Sequence, residues 1–294
     1  GPGVTDADRS AAHPRPGMSP VDHAELALLL EVASTPKPGN VDRRRDHADL
    51  RFEHFLTGAV GARPGLVEAA DPDRPLGDAF ERAVRGMSQQ DGDNTQFGCL
   101  LLLAPLVRAA TTDRLSPAGV DAVVDATTVD DAVAFYRAFE HVDVAVDDPP
   151  PDATALDVRK GADAEPAIRE RGVTLADVMA TSADRDGNAA EWTGGFERTF
   201  AAAAAVRDDT GPVTDRLARA FLDLLAERPD TLVATEHGSE TAAAVSRRAA
   251  AVRGDLDAAE DLAAQFRAEG INPGTTADLT AAAAFVALER GVPV

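Results

Sequence analysis

The sequence predicts an all-α protein: a single multi-helix globular domain over residues 19–294, with its functional groups on the loops between helices. Helix-start signals recur along the chain, and between them alanine- and leucine-rich runs place apolar residues three and four apart. The period-two alternation that a half-buried strand needs is almost absent, with Val142, Val144 and Val146 as the one short candidate.

Taken in order, residues 1–18 are polar, begin Gly-Pro-Gly and hold three prolines. They read as a cleaved-tag scar and a disordered tail, with Met18 a candidate native start. Ser19-Pro20 offers an N-cap with proline at the first helical position, and Asp22 completes a capping box. The run that follows carries Leu26, Leu29, Leu30 and Ala33 on one face. Phe97 to Val107 is the longest apolar stretch and contains Pro105. It is far short of the roughly 20 residues a membrane span needs, so it reads as a buried core helix. Ser116-Pro117, Thr128 with Asp131, Thr174 with Asp177 and Thr275 with Asp278 are further helix starts. Leu217, Phe221, Leu224 and Leu225 form another helical stripe. The proline-, glycine- and acid-rich stretch from Asp147 to Pro166 reads as a surface excursion within the domain rather than a linker.

The chain has 29 basic and 50 acidic side chains, for a net charge of −21. That balance excludes a general nucleic-acid binder, which needs clustered cations, and an anionic membrane surface. One cysteine, Cys99, excludes an internal disulfide framework. With no secretory signal, a cytoplasmic location is expected. Only Lys37 and Lys160 are lysines, against 27 arginines, and isoleucine occurs twice. Acid-rich, lysine-poor chains suit concentrated salt, where screening relieves self-repulsion, so a halophilic origin is expected.

Four polar segments do not look like scaffold. In Thr35 to Arg43 two prolines flank Lys37, and Gly39 permits a close approach. Asp42, Arg43, His47 and Asp49 crowd the residues that follow, a pattern that suits either a divalent metal or a solvated acidic surface. Gly92 to Gly98 feeds a helix N-terminus, a natural anion site, although Asp93 or Asn94 could simply cap it. From Asp177 to Phe196, Asp184 and Glu191 are seven apart and would share a face of one helix. Trp192 could stack a base, but packing suits it better. Gly270 to Leu279 again delivers a tight turn to a helix start, with Thr275 as cap and Asp278 in the first turn.

Together these segments resemble the triphosphoribosyl-dephospho-CoA synthase family, ATP:dephospho-CoA triphosphoribosyl transferases, over residues 20 to 290. Thr35 to Arg43 is similar to the family signature T-P-K-P-G-x-V-D-R. Asp93 to Gly98 is similar to its x-N-T-x-x-G loop, and Asn272 to Asp278 to its N-x-G-x-x-A-D loop. Asp230 to Gly238 and Asp177 to Phe196 look most like archaeal members. Bacterial members carry a histidine-lysine pair where this chain has Gln96-Phe97, and leucine where it has Asn40.

The resemblance implies transfer of the 5-triphosphoribosyl group of ATP to the 2-hydroxyl of 3-dephospho-CoA, releasing adenine, with Mg²⁺ as cofactor and small nucleotides as partners. It places Lys37, Asp42, Asp49, Asp184 and Glu191 as catalytic candidates. Arg43, His47, Asn94, Thr95, Gln96, Gly98, Asn272, Gly274 and Asp278 are substrate-binding candidates. Asp42, Asp49 and Asp184 are metal candidates, and which acid is the base stays open. On this reading, Lys37→Ala and Asp42→Asn abolish activity and leave the fold intact. Two alternatives remain at this level: another ATP-dependent ribosyl or phosphoryl transferase, and a non-catalytic nucleotide-binding helical module. A histidine-aspartate phosphohydrolase fits poorly, because Asp46-His47 has the wrong order.

Overall fold

The computed structural model describes residues 17–294; the expected tail, but for its last two residues, lies outside them. Fifteen α-helices make up the described residues. In chain order α1 to α5 are Pro20–Ala33, Phe52–Ala69, Leu76–Met87, Phe97–Thr111 and Pro117–Asp125. Helices α6 to α10 are Val129–Ala138, Glu165–Arg171, Leu175–Ser182, Gly187–Thr193 and Glu197–Asp208. Helices α11 to α15 are Val213–Glu227, Thr231–His237, Ser239–Ala251, Leu256–Glu269 and Gly274–Glu289. Two 3-10 segments, Pro151–Leu156 and Val158–Ala164, join α6 to α7. Among the described residues there is no sheet, only an isolated bridge between Asp42 and Arg45, so the fold is all-α as the pattern predicts. Val142 to Val146 form no ladder.

Local chemistry explains most helix starts. Ser19 with Asp22, Thr128 with Asp131 and Thr174 with Asp177 form reciprocal capping boxes, and the Ser116 hydroxyl accepts from the Gly119 N–H at 3.1 Å. The Thr275–Asp278 box does not form. Helix α15 starts at Gly274 without a side-chain cap, because both side chains are drawn to other partners.

Helices α4 and α15 are apolar nearly all round, which is the mark of an interior helix. Helix α15 packs against α1, α4, α10 and α11, and its run from Ala281 to Leu288 is buried throughout. Pro105 sits inside α4 and removes the N–H that would bond the Leu101 carbonyl. The Trp192 indole donates to that carbonyl instead, at 3.1 Å. This lone tryptophan is 1% exposed and so is a packing residue, not a base platform. Helix α11 serves two cores. Leu217 and Leu224 face the large one. Phe221 and Leu225 face a smaller one with Val233, Val245 and Phe266.

The excursion from Asp147 to Pro166 folds back onto the body. The Tyr136 hydroxyl donates to the Leu156 carbonyl at 2.6 Å, and the Ala162 N–H donates to Glu140 at 3.0 Å. The stretch from Asp143 to Val158 thereby becomes one wall of a cavity.

Candidate active site

The four polar segments meet at one cavity of about 560 Å³. Gly39 has φ +89°, and any β-carbon there would collide with the Ile271 carbonyl, so only glycine lets the first segment lie on the fourth. Asn40 fixes the contact by donating to Asn272 Oδ1 at 2.8 Å and to the Pro273 carbonyl at 3.2 Å. Gly98 has a similar purpose: a β-carbon would overlap the Asp278 carboxylate and the Asn188 amide. Its absence lets the second, third and fourth segments touch.

Asp278 lies where they touch. It accepts from Asn188 Nδ2 at 2.9 Å and from Cys99 Sγ at 3.3 Å, both neutral donors. With no cation beside it, burial pushes its carboxyl up to about 8. The same burial pushes the Cys99 thiol well up, and Asp278 beside it adds to the effect. Glu31 also lines the cavity and is raised by burial, but the Lys37 ammonium, 3.3 Å from its Oε1, pulls it back down. Asp186 is raised by burial as well; its Oδ1 accepts the Asn188 N–H at 2.9 Å. Below them Asp230 binds the α15 start, accepting from the Thr276 N–H at 2.7 Å and its hydroxyl at 2.6 Å.

The N-termini of α4 and α15 both open on this cavity; Asn94 Oδ1 caps the first by accepting the Phe97 N–H at 3.1 Å, and Asp230 holds the second at the Thr276 N–H. The rest of the lining is strongly acidic. Nine carboxylates face the cavity, and Arg185 is the one cationic side chain among the described lining residues.

The sequence candidates divide sharply. Asp49, Asn94, Thr95, Gly98, Asn272, Gly274 and Asp278 line the cavity. Lys37, Asp42, Arg43, His47, Gln96, Asp184 and Glu191 do not. Lys37 is wholly buried behind Glu31, its ammonium turned to that carboxylate and not to the cavity. Asp42 is also buried; it accepts the Arg44 N–H at 2.9 Å and pairs with Arg45 at 3.4 Å. A structurally harmless Lys37→Ala is therefore not expected, because it strands the buried Glu31 carboxylate, and Asp42→Asn removes a buried charge from its pair with Arg45. Arg43 turns back to the Ala33 carbonyl at 2.8 Å, and His47 Nε2 donates to the Gly39 carbonyl at 2.8 Å. Gln96 points away, donating to the Phe55 carbonyl at 2.7 Å.

Asp184 and Glu191 share no helix, because α8 ends at Ser182 and α9 begins at Gly187. Asp184 is exposed in the turn between them. Glu191 is buried and accepts from the Thr199 N–H at 3.0 Å and its hydroxyl at 2.8 Å, a scaffold role. The Asp42–Asp49–Asp184 metal set is not assembled, and no group of three potential ligands occurs among the described residues.

The family model for ATP:dephospho-CoA triphosphoribosyl transferases, CitG, matches residues 18–292. The chain belongs to this family. A crystal structure described as a triphosphoribosyl-dephospho-CoA synthase from Archaeoglobus fulgidus is similar to it, with a TM-score of 0.67 and 26% identity over 81% of this chain and 99% of that one. No curated protein matches the sequence. The chain is an ATP:dephospho-CoA triphosphoribosyl transferase, so the reading as a non-catalytic module falls. No helix among the described residues is long and apolar enough to cross a membrane.

For this transferase, sequence reasoning missed Glu31, Asp186, Asn188 and Glu236 in the cavity wall. Glu31 did carry a signal, as an acid inside an otherwise apolar helix run. Asp186 and Asn188 stood in the third segment, but the assumed continuous helix drew the choice to Asp184 and Glu191.

Proposed function

We propose that the acidic end of the cavity binds ATP with Mg²⁺ and carries out ribosyl transfer through Asp278 and Asp186. The observation that carries this is the pair of helix N-termini, α4 and α15, opening on one cavity. The two helix dipoles supply positive potential where side chains supply almost none.

Triphosphate brings about four negative charges, which two helix dipoles and Arg185 alone do not offset. The donor set fits a metal held mainly by phosphate and water, with one or two carboxylates, rather than an all-protein cage. Asp49 and Glu236, two of the exposed carboxylates in the lining, would hold it. When bound, Mg²⁺ would neutralise phosphate charge and fix the triphosphate.

The bond that breaks joins ribose C1 to adenine N9, through a transition state with oxocarbenium character, as in glycoside hydrolysis. Its electron pair leaves with adenine, which then needs a proton. Asp278, whose carboxyl burial raises to about 8, is the group that supplies it. The acceptor 2-hydroxyl attacks C1 and gives its proton to Asp186. Asp186 is held by backbone N–H groups at the start of α9, and burial makes it a stronger base than an ordinary carboxylate. Glu31 adds negative charge near the cation, held in place by Lys37. The net charge of −21 supports reading this chemistry as adapted to concentrated salt.

The test is incubation with Mg-ATP and dephospho-CoA in molar salt, with adenine resolved from ADP by chromatography. Stoichiometric adenine is expected. ADP formation would assign phosphoryl transfer, and no product from either would remove the reading.

A further inference from the structure

The cavity has a second wing that triphosphate chemistry does not use. Phe135, Phe139, Val144, Val146, Leu156 and Met179 line it. The aromatic wall is built before any ligand arrives: the Phe135 and Phe139 rings pack edge-on with centroids 5.2 Å apart. Residues 143–150 run across it as an extended strap. The Asp143 N–H donates to Asp93 Oδ2 at 3.1 Å. After that, none of the strap's backbone N–H groups has a partner among the described residues, and its first carbonyl to accept one is Pro150, from Ala153. Val144, Val146 and Leu156 are only half-buried, although each faces the cavity.

This combination suits an extended chain that alternates amides with aliphatic carbon. It does not suit phosphate, because Asp143 and Asp147 stand on the same strap. Resting on the transferase reading above, we infer that this wing is the subsite for the pantetheine arm of dephospho-CoA. The arm's two amides would pair with the strap backbone as an added strand does, and its gem-dimethyl carbons would pack on the apolar wall. The ribose with the accepting hydroxyl also bears the diphosphate and arm, so the arm subsite has to adjoin the reaction centre. It does: Asp147 of the strap lies close enough to Asp186 to disfavour its charge.

Calorimetry in molar salt tests this with dephospho-CoA, ADP and Mg-ATP, on wild type, Val146→Asp and Phe139→Ser. ADP carries the adenosine diphosphate part of the acceptor without the arm. The wild type is expected to bind dephospho-CoA at least about tenfold more tightly than ADP, a gap of roughly 1.4 kcal/mol. Either variant should shrink that gap to less than about twofold, with Mg-ATP affinity unchanged. Val146 is half-buried on the strap, so its variant keeps the fold; circular dichroism checks both. Variants that keep the wild-type gap, or that weaken Mg-ATP instead, would overturn the inference. Binding needs no turnover. A wild type that releases no adenine would therefore sink the reaction assignment, while the calorimetric comparison still decides the wing.

Discussion

Glu31 and Asp278 are two acids in the wall of one cavity, and they differ in their company. Glu31 has an ammonium at 3.3 Å; Asp278 has an amide and a thiol. Burial raises both, yet only Glu31 has a cation to draw it back. The difference separates a charge-holding pair from a neutral acid able to give a proton near pH 7. Two carboxylates in one site take different roles because their environments push their titrations apart.

The largest effect falls on Asp278. Asp278→Asn should lower kcat for adenine release by about 10²–10⁴-fold, the range for losing a general acid, with helical content intact. Lys37→Met strands the Glu31 charge and should cost roughly 3–5 kcal/mol in denaturant unfolding. Adding Glu31→Gln removes that charge and should recover most of the stability but not the activity, which separates the pair's structural and chemical roles. Glu191→Ala leaves the buried Thr199 N–H and hydroxyl unpaired, at about 1–3 kcal/mol, with kcat unchanged. Asp184→Ala, on an exposed turn, should move stability by no more than about 0.5 kcal/mol and leave turnover alone. A large activity loss in either of the last two would return catalysis to the pair that the sequence suggested.

Local chemistry was legible from sequence and long-range chemistry was not. Ser19, Thr128 and Thr174 cap their helices as read, because partners three residues apart need no tertiary information. Thr275 breaks the rule: its hydroxyl lies 3.0 Å from that of Thr231, while Asp278 takes Asn188 and Cys99. Those partners are brought in by the packing of α15, and sequence spacing does not report them. The Thr35–Arg43 segment was recognisable as a unit, but its direction was not. Two prolines say that Lys37 is held, not that it is held inward against Glu31. The apolar wing stayed hidden because Val144 and Val146 look like a failed strand until Phe135 and Phe139 lie opposite them across the cavity.

The pH profile of adenine release tests the central claim most directly. If protonated Asp278 delivers the proton, kcat holds below its titration near 8 and falls about tenfold per pH unit above it, and the residual activity of Asp278→Asn lacks that limb. A rate that climbs through pH 8, or an alkaline limb that persists in Asp278→Asn, would contradict the account.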